Sequence, residues 1–292
     1  MNFELLNFMK NFLTRALTGA IYVILLVGCT VGSPVSAFFF FALVAAACVW
    51  EYSQLMNRYE GASISAPLGA LCAVILVAAV WLLCIGSESA PRTLALYGLL
   101  LLYLMVSELY RQAENPLRNW GLMMLGQVYV VLPLSLLPLL SVTFNEATGH
   151  LAYAWSYPLA LFIFLWTNDT GAYLCGMALH NVFPAKLFPR ISPKKSWVGS
   201  IGGGLLTLLV SILLAYLLPD TMPLWKWMGF ALVVVVFGTW GDLVESLLKR
   251  HLGIKDSGQI LPGHGGLLDR FDSALLAIPA VVIYFLLVGV YK

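Results

Sequence analysis

The chain has 292 residues, of which 61% are apolar, 10% charged and 13% aromatic, and its mean hydropathy is +0.89. Soluble domains carry roughly 25% charged residues, so a water-soluble globule is excluded, and so is disorder, which needs low hydrophobicity and high charge. The net charge of +2 is too balanced for nucleic acid to be an expected partner.

What remains is an all-α polytopic integral membrane protein, with room for about eight to ten crossings of roughly 20 residues. Apolar runs predict nine spans, near 16–32, 35–55, 64–85, 92–107, 119–142, 153–177, 197–218, 224–247 and 273–291. The first follows Lys10 and Arg15 and could mimic a signal peptide with Val35-Ser36-Ala37 as cleavage site. Phe38 to Phe41 continue the apolar run at once, so an uncleaved anchor is expected. The five cysteines lie inside apolar runs without CxxC spacing and read as small buried hydrophobes; the four histidines are scattered, which argues against zinc.

Lys and Arg in short loops stay on the cytoplasmic side. A cytoplasmic N-terminus and nine crossings put thirteen of the sixteen Lys and Arg inside and only Arg92, Lys226 and Lys292 outside. Eight of the inside thirteen fall in two loops, 178–196 and 248–272. The expected organisation is an N-terminal transmembrane scaffold over 1–150 and a C-terminal catalytic region over 151–292.

A carboxylate in a hydrocarbon span costs about 2.5–3.5 kcal/mol on insertion scales, so it normally faces a cavity, a partner or a metal. Asn168-Asp169 follows the run Leu159 to Trp166 with Thr167, Thr170 and Gly171 around it; a helix cap or turn is the plainer reading, but the small polar groups are too many for capping alone. Asp242, Glu245, Ser246 and Lys249 share one helical face. A Glu245–Lys249 ion pair is the alternative there, and it leaves Asp242 unexplained. The third segment, 249–272, brings four cations, three carboxylates and a Gly-His-Gly-Gly turn together, with five glycines and a proline that exclude a stable helix. Its glycines suit backbone N–H contacts to phosphate, although no Walker motif is present. Gly202-Gly203-Gly204 is read as close helix packing.

Carboxylates with Lys and Arg at a membrane face suit a divalent cation and a polyphosphate. Mg2+ is typically held by one or two carboxylates plus substrate phosphates, and Lys and Arg neutralise the rest of the phosphate charge. Such transfers work by positioning and charge neutralisation, often with a second cation.

The stretch Ser246 to Asp272 resembles the signature of the phosphatidate cytidylyltransferase (CDP-diacylglycerol synthase) family, through Ser246, Lys249, Arg250, Lys255, Asp256, Gly258, Leu261, Pro262, His264, Gly265, Gly266, Asp269, Arg270 and Asp272. Asn168 to Tyr173 and Ile191 to Trp197 are also similar to that family, so the resemblance covers about residues 160–290. It implies that CTP and phosphatidic acid give CDP-diacylglycerol and pyrophosphate for phospholipid synthesis, at the cytoplasmic face of a bacterial inner membrane, by a homodimer. It also implies that Asp242, Asp269 and Asp272 hold Mg2+, and that Lys194, Lys195, Lys249, Arg250, Lys255 and Arg270 bind phosphates. Asp169 assists at the metal or orients a lysine, and His264 either meets a phosphate or shapes the glycine turn. The chain departs from the family pattern at Val198, where Glu or Gln is usual, and over Gly176 to Asn181, which lacks the usual Arg or Lys. Rival readings are a CTP-dependent lipid kinase and a transporter; the clustering of polar residues in one half of the chain speaks against the transporter.

Overall fold

The computed structural model describes residues 3–145, 149–258, 260–261, 263 and 265–291, with side chains from residue 16 onward. The helices are α1 Phe3–Gly32, α2 Pro34–Tyr59, α3 Ala66–Cys84, α4 Ala90–Arg111, α5 Pro116–Gly126, α6 Leu132–Ser135, α7 Leu137–Leu140, α8 Ser156–Leu179, α9 Trp197–Leu217, α10 Leu224–His251 and α11 Leu268–Leu287. A π-helical turn, Gln127–Val131, joins α5 to α6. Two antiparallel hairpins complete the chain: β1 Val142–Asn145 with β2 His150–Tyr153, and β3 Lys186–Phe188 with β4 Ser192–Ser196.

Local chemistry sets the helix starts. Ser33 precedes Pro34 and accepts the Ser36 N–H at 3.0 Å, and Asn115 precedes Pro116 and accepts the Arg118 N–H at 3.0 Å. A capping oxygen followed by proline satisfies one orphan donor and removes another. Pro133 brings no N–H to its turn, and the helix widens into the π turn just before it.

Each predicted apolar stretch falls mainly on helix, and the protein is an integral membrane protein of helices. Among the described residues, seven helices have the length and apolar character to cross a membrane, and Ala16–Gly32 is a shorter apolar helix. The predicted span 153–177 corresponds to α8, which is not among the seven; Thr167-Asn168-Asp169-Thr170 in its middle lowers its hydropathy.

The chain divides into two compact units, one of Met1–Pro138 with Ile254–Phe271 and one of Leu139–Gly253 with Asp272–Lys292. In the first, α2 packs on α3 where Gly69 faces Val49 and Ser53. The Tyr52 ring lies against Gly126, and its hydroxyl donates to the Leu122 carbonyl at 2.9 Å. The glycine-rich segment 254–267 belongs to this unit, together with the first turn of α11.

In the second unit a core of Tyr157, Phe164, Trp227, Phe230 and Phe285, all fully buried, packs largely edge to face; Phe230 and Phe285 stand 5.0 Å apart. Small residues let backbones touch. A Cβ on Gly203 would lie 2.5 Å from the Asn168 carbonyl, and one on Gly199 would lie 2.7 Å from that of Ala172. Gly202 and Gly203 of the glycine triplet therefore serve the α8–α9 contact, and Gly204 faces Val235 of α10. Likewise a Cβ on Gly241 would lie 2.6 Å from the Asp272 carbonyl, so α10 and α11 meet backbone to backbone.

Candidate active site

Three elements of the second unit bring acid groups together. On α8, Asn168 is buried and reaches Thr239 of α10 at 3.5 Å, which fixes the rotation of the helix that carries Asp169. On α10, Asp242 accepts from Ser246 at 3.2 Å, and on α11 Asp272 accepts the Ser273 N–H at 2.5 Å. Asp169 lies in the electrostatic field of both Asp272 and Asp242. The carboxylates come from three helices separated widely in sequence, so only the fold assembles them.

Cations surround this group. Lys195 on β4 is ion-paired with Asp242. Lys249 pairs with the fully buried Glu245 at 2.8 Å, and both lie close to Asp272. The Glu245–Lys249 pair anticipated as an alternative is thus present, and Asp242 has its own partner. Arg250, in the last turn of α10, donates to the Ile191 carbonyl at 3.5 Å and so ties that helix end to the β3–β4 turn. A cleft of about 270 Å³ is lined by Asp169, Lys194, Lys195, Ser196, Thr239 and Asp242 among others. The Ser196 hydroxyl accepts the Gly199 N–H at 3.2 Å and caps α9, which sets where β4 ends and where Lys194 and Lys195 are delivered.

The donor set is all oxygen, which suits a hard cation such as Mg2+ and not zinc. Among the described residues, no group of three His, Cys, Asp or Glu side chains gathers closely enough to hold a metal unaided.

The remaining predicted residues sit in the first unit. Asp269, in the first turn of α11, takes three donors on one oxygen: the Ser257 N–H at 2.8 Å, the Ser257 hydroxyl at 2.9 Å and the Gly266 N–H at 2.9 Å. It thereby closes the segment 257–266 into a ring, which a Leu261–Gly265 bridge pinches further. Gly263 and Gly265 supply the positive φ values, 77° and 85°, that this path requires. Lys255 and Arg270 flank the ring with exposed side chains. His264 lies outside the described residues.

One residue escapes the sequence reading. Glu51 on α2, only 4% exposed, accepts the Leu268 N–H at 2.8 Å with Oε2, at the start of α11. Its signal was available as a carboxylate inside an apolar run, the same signal that singles out Asp169. The absence of any motif around it hid its link to a segment more than 200 residues away.

The fold is that of a helical membrane protein whose second unit carries an acid-and-lysine cleft. A family model described as the cytidylyltransferase family matches residues 13–288, and the chain belongs to that family. It is 48% identical over 123 residues to the phosphatidate cytidylyltransferase of Staphylococcus aureus (strain COL), covering 42% of this chain and 46% of that protein. Identity to the phosphatidate cytidylyltransferase of Staphylococcus haemolyticus (strain JCSC1435) is 45%, and to that of Staphylococcus saprophyticus it is 44%, over the same lengths. The chain thus spans about half the length of these relatives.

Proposed function

We propose that the protein is a phosphatidate cytidylyltransferase that makes CDP-diacylglycerol and pyrophosphate from CTP and phosphatidic acid. A phosphatidate oxygen attacks the α-phosphorus of CTP, the bond from that phosphorus to the bridging oxygen breaks, and pyrophosphate departs with the electron pair. The lipid phosphate is itself the nucleophile, so no side chain has to form a covalent intermediate. The observation that carries the reading is the convergence of Asp169, Asp242 and Asp272 in one electrostatic cluster with Lys195 beside it.

In this reading, as the family resemblance implies, Asp242, Asp269 and Asp272 would hold the cation, and Mg2+ would neutralise phosphate charge shared with CTP. Lys194 and Lys195 take phosphate oxygens from the β4 side, and Lys249 and Arg250 from the end of α10. Ser246 holds the Asp242 carboxylate in place. Lys255, Asp269 and Arg270 act from the glycine segment, with Asp269 shaping it. Next to Asp169 on α8, Thr170 and Gly171 line an apolar groove of about 520 Å³ with Trp166, Leu206 and Leu209. That groove suits an acyl chain of the lipid substrate. The Lys- and Arg-rich loops support a site on the cytoplasmic side of a bacterial inner membrane as part of this proposal, and a homodimer belongs to the same proposal by family resemblance.

Purified protein incubated with phosphatidic acid, Mg2+ and CTP labelled at the α-phosphate is expected to give a labelled lipid and free pyrophosphate. With CTP labelled at the γ-phosphate the lipid stays unlabelled. A γ-labelled lipid identifies a CTP-dependent lipid kinase instead.

A further inference from the structure

We infer that Glu51 is a positioning residue for the glycine segment 254–271, acting from α2 through the backbone of that segment. The inference rests on the cytidylyl-transfer reading for its effect on turnover, and on geometry alone for the tether. Two of the segment's glycines carry the argument. Gly263 and Gly265 adopt left-handed backbone angles, which explains why they are glycine. Gly258 and Gly266 do not; their backbones are open to any residue. A Cβ on Gly258 would strike the Glu51 carboxylate alone, and one on Gly266 would strike the Ser257 hydroxyl first and the same carboxylate just beyond it.

Glu51 therefore touches the segment at several points: the Leu268 N–H, which it accepts, the Ser257 side chain and Leu267 N–H, and the bare Cα faces of Gly258 and Gly266. The Gly266 N–H is in turn held by Asp269. The two carboxylates grip the same short stretch from opposite ends of the sequence, Asp269 closing the ring and Glu51 anchoring it to α2. A helix cap alone requires only the Leu268 contact, and it leaves Gly258, which only Glu51 crowds, unexplained. Anchoring fixes the backbone from which Lys255 and Arg270 project, so loss of the anchor leaves those cations present but poorly placed.

The test uses the full-length protein in detergent, with Glu51→Ala, Glu51→Gln, Gly258→Ala and the Glu51→Ala/Gly258→Ala double variant. Amide hydrogen exchange reads the tether without reference to activity. Exchange in 254–271 is expected to speed up at least about tenfold in Glu51→Ala and Gly258→Ala, with α3 and α9 unchanged. Glu51→Gln, which keeps an acceptor for the Leu268 N–H, is expected to stay within about threefold of wild type. The double variant should be no worse than either single one, because both break one contact. In CDP-lipid formation, Glu51→Ala should lower kcat/KM for CTP by at least about tenfold, with Glu51→Gln restoring most of it. Unchanged exchange in 254–271, or faster exchange spread over all helices, overturns the inference. So do additive effects in the double variant. If wild-type protein forms no CDP-lipid, the reaction assignment fails while the exchange data still decide the tether.

Discussion

Lys195 of β4 and Asp242 of α10 form an ion pair inside the cleft, with side chains about a quarter exposed (24% and 26%). On the proposed function, a cation shared with CTP would take the same carboxylate and leave the ammonium free for phosphate. On that reading the Lys195 ammonium competes with the metal for the Asp242 carboxylate. Lys195→Met removes both the competitor and the phosphate ligand. Apparent Mg2+ affinity is expected to tighten severalfold while kcat falls at least about tenfold, the equivalent of one lost charge-assisted contact worth roughly 1.4 kcal/mol. A Mg2+ titration of CDP-lipid formation checks this, and a weakened Mg2+ response would contradict the shared-site argument.

Asp242→Ala acts on the same carboxylate from the other side. Ser246 loses its acceptor and Lys195 its partner. The expected outcome is a rise of at least about tenfold in the Mg2+ concentration for half-maximal activity, with little change in the KM for phosphatidic acid. Parallel titrations with metal and with lipid in mixed micelles separate the two effects. An unchanged metal titration takes Asp242 out of the cation site.

Gly241 tests whether backbone contact between α10 and α11 sets the spacing of Asp242 and Asp272. A Cβ there would stand 2.6 Å from the Asp272 carbonyl and 2.9 Å from that of Ser273. Backbone cannot swing aside as a side chain can, so the helices have to part. Gly241→Ala is expected to cost about 1–3 kcal/mol, in the range of overpacked cores. It should lower the thermal midpoint in detergent by several degrees, and turnover should fall with it. Full stability and activity would show that the two helices can separate freely.

The sequence made the membrane class legible through composition, and the helices through apolar runs bounded by capping residues and proline. It also exposed Asp169 and Asp242, because a carboxylate in an apolar span needs a reason. Other features were not legible. The hairpins β1–β2 and β3–β4 are too short for an alternating pattern to stand out, and β4 reads as a basic loop although it delivers Lys195. The hydrogen bonds of Asp269 to Ser257 and Gly266 were not legible, nor was the place of Asp272 beside Asp242 and Lys249. Helical periodicity reports where a residue sits on its own helix and carries no information about what the neighbouring segments offer it. Glu51 shows the same limit over a longer distance.

Val198 departs from the family pattern next to the cleft-lining Ser196 and Gly199. It lies in the first turn of α9, where an acidic side chain is favoured by the helix dipole, typically by about 0.3–1 kcal/mol. None of the carboxylates or lysines described above depends on it. Val198→Glu is expected to leave CDP-lipid formation within about threefold of wild type. Kinetics with CTP varied at saturating lipid are the check; a much larger change in the KM for CTP would place this position in the nucleotide contact.

Asp269→Asn asks what the ring-closing carboxylate contributes beyond shape. One of its oxygens serves three donors, and hydrogen bonds to a charged group contribute about 1.5–3 kcal/mol each, against roughly 1 kcal/mol for neutral pairs. Asparagine keeps the volume and one acceptor but loses the charge, and its amide hydrogens repel the donors if the group flips. The segment 254–271 should therefore loosen while the membrane helices persist. Far-UV circular dichroism is expected to match wild type, amide exchange to rise in this segment alone, and CDP-lipid formation to fall more than about a hundredfold, or roughly 2.7 kcal/mol. Asp269→Glu, which keeps the charge on a longer arm, distorts the ring but should retain more activity than the neutral variant. If Asp269→Asn turns over near the wild-type rate, neither the charge nor the ring is required, and the glycine segment has no part in the reaction.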